Sequence, residues 1–168
     1  MTTANAIAAE LSRLAALDAD GESLSAARLH KLLYYCQGWH LAWYAQPLFG
    51  DRIEAGENGP VVPTLNPTAP PSNGLPAEAR DSVAQVWSHY RQFSAVGLRE
   101  KAKAEAPWRT HRLPGSAPEI PVAALASFFG EEFRRQTGEE PGAMAQVAAD
   151  LAAGRVITLD ELRAEWGL

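Results

Sequence analysis

Cys36 and His40 stand four residues apart, a spacing that sets two side chains on one helix face, where a thiolate and an imidazole could serve as nucleophile and base. Such a pair also needs a third group to orient the base, and a thiol open enough to ionise. The face they share is otherwise Leu29, Leu32, Leu33 and Trp43. A thiol buried there is inert, so both residues read as core and no catalytic residue is assigned. One cysteine and four scattered histidines offer no paired ligand spacing, so neither a metal nor another cofactor is expected. The run GENGP at residues 56–60 lacks the lysine and hydroxyl of a phosphate loop and reads as a tight turn.

Charge supplies the remaining chemistry. Residues 91–112 hold six bases against two acids, with Trp108 and His111 among them. Cations beside an aromatic suit nucleic acid, and a regulator binding operator DNA is the reading this stretch would carry. The net charge of −5 weighs against it, and Trp108 after Pro107 suits a core anchor at a helix start. Residues 131–168 hold eight acids against four bases, which favours a partner with a basic site.

The elements that position these groups are mostly helices. Apolar spacing predicts helices over residues 4–17, 26–45 with Ser25 as N-cap, 76–92, about 95–105, and 121–136. The second is apolar nearly all round, hence buried or covered by a partner, and Gly38, Ala42 and Ala45 would let a neighbouring helix approach closely. Val83, Val86, Trp87 and Tyr90 are the inward residues of the third, and Val122, Leu125, Phe128, Phe129 and Phe133 those of the fifth. Residues 48–55 can supply a short strand, with Gly56, Gly59, Pro60 and Pro63 marking a turn after it. Five prolines over residues 63–76 make that stretch a loop. TGEEPG at residues 137–142 reads as a hinge-like linker, followed by an amphipathic helix carrying Met144, Val147 and Leu151. Thr158 and Glu161 then form a capping box for a last helix with Leu159, Leu162 and Trp166.

The expected fold is therefore mainly α: a compact helical domain around a buried central helix with a short β element, plus a C-terminal helical extension. Its boundaries are 1–136 for the domain and 137–168 for the extension. At 168 residues the chain buries roughly 70% of its unfolded surface, enough for a core without staples. The single cysteine argues for a reducing compartment. The N-terminal residues lack the basic start of a signal peptide, and no apolar run is long enough to span a membrane. A cytoplasmic protein is expected, with no membrane partner.

The central segment resembles the SocA-like Panacea domain of bacterial and phage antitoxins. The matching pieces are LHKLLYY at residues 29–35, GWHL at 38–41, PLF at 47–49, IEA at 53–55 and GPVVP at 59–63, with a looser echo at Pro107 and Trp108 and near residues 120–129. Leu32, Leu33, Trp39, His40, Gly59, Pro60 and Trp108 are the structural residues of that motif in this chain. Two departures stand out: Gly56 occupies a position where the family usually has tryptophan, and a proline-rich loop follows GPVVP where a helix is common.

The resemblance implies an antitoxin without catalysis of its own, which neutralises a cognate protein toxin by direct contact. Toxins associated with the family are of many kinds, alarmone-synthetase-like enzymes among them. Some relatives act instead as adaptors that deliver a toxin to a protease. Leu159, Leu162 and Trp166 are the first candidates for toxin contact, as a helix docking in a partner's groove, together with exposed members of the set Tyr34, Tyr35 and Trp39.

Overall fold

Three helices begin at a hydroxyl. Thr3, Ser25 and Ser94 each accept a hydrogen bond from the backbone N–H three residues on, satisfying a donor the helix leaves open. They open α1 (Ala4–Leu17), α2 (Ala26–Tyr44) and, after α3 (Ala77–Tyr90), α4 (Ala95–Ala104). The remaining helices are α5 (Ala106–His111), α6 (Val122–Thr137) and α7 (Ala143–Ala152). Strands β1 (Glu54–Gly56) and β2 (Gly59–Val61) form one small antiparallel hairpin. The structure, a computed structural model, describes residues 1–154 apart from Ala19, Glu22 and Ser72.

Helix α2 is the centre, as its composition predicts. It packs against α1, α3, α4, α6, α7 and β2, and from Arg28 onward most of its residues are buried. Its backbone approaches α6 closely at Gly38: a Cβ there would lie 2.1 Å from the Phe129 ring. Only a residue without a side chain admits that ring. Leu29, Leu32, Leu33, Tyr34, Tyr35 and Cys36 fill the interior with Ile7 and Leu11 of α1 and Val83 and Val86 of α3. Burial of such side chains contributes on the order of 1.5–3 kcal/mol each.

Buried Gln37 returns the chain after α2. Its carbonyl accepts the N–H groups of Leu48 and Phe49 at 2.9 and 3.2 Å, and its amide donates to the Phe49 carbonyl at 2.9 Å. The strand expected at 48–55 is consequently displaced. Residues 48 and 49 are tied to Gln37, and regular pairing begins only at Glu54, with Glu54 opposite Val61 and Gly56 opposite Gly59. The GENGP run is the hairpin turn itself.

Gly59 has φ +103°, a conformation that penalises any side chain, and a Cβ there would lie 3.1 Å from Cε of Lys31. Gly59→Val should therefore lower stability by ~1–3 kcal/mol, read as a fall in the urea midpoint. An unchanged midpoint would show that the hairpin is not coupled to the core.

Two further expectations are corrected. Val122, expected inward, sits in the first turn of α6 and is 42% exposed. The linker at 137–142 lies against the helices: Pro141 packs on Gly130, and the Gly142 N–H donates to the Ala42 carbonyl at 2.7 Å. Small residues on both helices make that approach possible. Among the described residues, no helix is long and apolar enough to cross a membrane.

Candidate functional site

Cys36 and His40 are both sealed in the core. Burial pushes the Cys36 thiol up, out of reach of the thiolate form, and lowers His40 to about 4. The imidazole stacks on Tyr44 and shares a 2.7 Å hydrogen bond between Nδ1 and Ser82 Oγ. A neutral thiol beside a neutral, differently engaged imidazole is not a nucleophile and its base. Among the described residues no three carboxylate, imidazole or thiol groups are gathered to hold a metal.

The aromatic candidates separate sharply. Tyr34 and Tyr35 are fully buried, so neither is an exposed member of a docking surface. The reason is α6 and α3 closing over them: Phe129 meets both rings edge-on, and Tyr90 stacks on Tyr35 at 4.1 Å. Tyr35 donates from its hydroxyl to Glu105 at 2.7 Å. Trp39 differs, being half-buried, with its indole N–H donating to the Tyr90 hydroxyl at 2.8 Å.

Trp39 stacks on Trp43 one turn later, ring centroids 5.8 Å apart, and both border a groove of about 340 Å³ between α2, α3, α4 and α6. Phe128 and His89 line it from the other helices. Near its floor lies Glu105, a largely buried carboxylate that burial raises above its ordinary range, while Tyr35 and Lys101, 3.9 Å away, act against that rise. Half-covered tryptophans around a groove with a polar floor form a surface suited to receiving a partner's side chain. The sequence puts Trp43 on the apolar stripe of α2 and Phe128 on the inward face of α6, whereas packing leaves both only partly buried at this groove. The spacing of Trp39 and Trp43, four apart, was the signal that could have revealed a shared face.

The other motif residues lie elsewhere and are structural. Leu32 and Leu33 are buried in the core. The Trp108 indole donates to the Gly56 carbonyl at 2.8 Å, fastening α5 to the hairpin beside Gly59 and Pro60. Lys103 and Arg112 approach the Trp108 ring at 5.2 and 5.1 Å, and Trp108 is buried, leaving it no open face for a base. Within the basic stretch Arg91, Arg99 and Lys101 pair with Asp18, Glu100 and Glu105. Leu159, Leu162 and Trp166 lie outside the described residues.

No curated protein and no solved structure matches this chain. Residues 29–68, which run from α2 through the hairpin into the following loop, match the model of the family described as antitoxin SocA-like, Panacea domain, and it is to that family that the central unit of this protein is similar.

Proposed function

We propose that this protein is an antitoxin that neutralises a cognate protein toxin by direct binding, with Trp39, Trp43 and Phe128 as the docking groove. One observation carries the reading: the helix that bears the antitoxin-family segment also supplies both tryptophans of the groove. A toxin side chain seated between them would be desolvated on several sides, the condition under which tryptophan anchors contribute most. The residue 137–168 extension, with Leu159, Leu162 and Trp166, is the second contact in this proposal, an arm that adds area without forming the groove. The protein acts by occlusion in the cytoplasm and catalyses nothing.

The product of the adjacent reading frame, co-expressed, should arrest growth alone and be tolerated with this protein present. Trp43→Ala and Phe128→Ala should each weaken toxin binding by about 2 kcal/mol or more, roughly thirtyfold, with little change in the urea midpoint. Wild-type affinity in both variants would remove the groove from the interface. Deleting residues 140–168 tests the arm separately. A toxin whose half-life shortens while its binding surface stays open would point to a protease adaptor instead.

A further inference from the structure

Glu105 is the single residue between α4 and α5, and that junction brings its carboxylate against Tyr35 of α2. Its Oε1 accepts the Tyr35 hydroxyl at 2.7 Å, whereas the Lys101 ammonium reaches Oε2 only at 3.9 Å, too long for a hydrogen bond. Only 13% of the Glu105 side chain is exposed, and it lines the groove that Trp39, Trp43 and Phe128 border. Burial raises its carboxyl, with Tyr35, Lys101 and Tyr34 drawing it back. The other charged residues lining the groove are Lys101 and Glu132. Glu132 pairs with Arg135, an exposed residue that does not line it. The lining thus sets two acids and one base among aromatic rings.

That composition selects among possible occupants. An aliphatic side chain would strip the remaining water from Glu105 and return no partner to its carboxylate, which is costly. An acidic one would be repelled by both glutamates. A lysine would meet the charge as a point, with little to lay flat on the indoles. A guanidinium is planar and weakly hydrated, so it stacks on tryptophan while its fork of N–H donors reaches a carboxylate. The rings and the carboxylate it needs are both present: Trp39 and Trp43 stack at 5.8 Å, and Glu105 lines the same groove. We infer that the side chain this groove receives from its protein partner is an arginine, stacked on the Trp39–Trp43 pair and hydrogen-bonded to Glu105. This rests on the groove being the docking surface proposed above, and it makes the partner's contact patch basic.

The test titrates the intact protein with three blocked peptides that differ only in the central residue: acetyl-Gly-Arg-Gly-amide and its lysine and leucine counterparts. The indole N–H signals of Trp39 and Trp43 report binding by NMR. The arginine peptide should shift them saturably and bind more tightly than the other two. Glu105→Gln keeps an acceptor for Tyr35 but removes the charge, and should weaken the arginine peptide at least ~tenfold, as loss of a charge-assisted hydrogen bond does. Lys101→Met should tighten it, because the ammonium no longer competes for Oε2 of Glu105, and this half-buried position decides the matter if Glu105→Gln does not fold. The inference is overturned if the leucine peptide binds as tightly as the arginine peptide, if both variants bind as wild type does, or if no peptide shifts the indoles. The groove itself is judged separately, by Trp43→Ala and Phe128→Ala against the toxin. Weakened toxin binding there, with no preference for arginine here, would keep the docking surface and discard its occupant.

Discussion

Phe129→Ala should lower the free energy of unfolding by ~3–5 kcal/mol, the largest single loss expected in this protein. Phe129 of α6 is fully buried and meets Tyr34, Tyr35, Trp39 and Phe128 edge-on at centroid distances of 5.4, 6.1, 5.3 and 5.1 Å. Its removal leaves a cavity that four rigid rings cannot collapse to fill. The ring also occupies the space a side chain at Gly38 would need, so Gly38→Ala should destabilise by overpacking, by about 1–3 kcal/mol or more. The two changes are complementary: the double variant should be more stable than the sum of the single losses implies, because the methyl group enters the vacated space. Urea unfolding of the four proteins measures this. Strictly additive losses would show that the close approach of α6 to Gly38 does not bind these helices together. Because Trp39 leans on the same ring, Phe129→Ala should also disturb the groove beside it and weaken the proposed toxin binding.

Acidification should destabilise the fold through His40 by as much as about 3 kcal/mol between pH 6.5 and 4. The folded imidazole titrates near 4 because burial disfavours its charged form, whereas the unfolded one titrates at its ordinary 6.5. The unfolded chain therefore takes up the proton first. The stabilisation is complete above pH 6.5 and is lost progressively as the pH falls toward 4. Glu105 works in the opposite direction, since its raised carboxyl favours the fold on protonation. Comparison with His40→Gln, which keeps a hydrogen-bonding group for Ser82, isolates the histidine. The variant should lose less stability than the wild type between pH 7.5 and 5. Parallel loss in both would show that His40 is not the group responsible. Glu78 and Asp81 of α3, which act on neighbouring Tyr44, are unchanged in the variant and cancel from the comparison.

The helices were legible because their signals are local. Ser25 caps α2 and Thr3 caps α1 through side chains that reach only three residues along the chain, and the apolar spacing of Val83, Val86, Trp87 and Tyr90 predicted the buried face of α3. The small residue at Gly38 foretold a close neighbour, and α6 is that neighbour. The strand was displaced because Gln37, eleven residues away, captured the amides of Leu48 and Phe49, a competition that no local propensity records.

Local sequence thus determined that this is a helical protein built around one water-averse helix, in a segment similar to the SocA-like Panacea domain. Which aromatic residues of that helix remain open was decided only by packing. Tyr34 and Tyr35 differ little from Trp39 in apolar character, yet α3 and α6 close over the tyrosines and leave the two tryptophans half-covered at a groove. Exposure belongs to the space between elements, and the angles at which helices meet set that space.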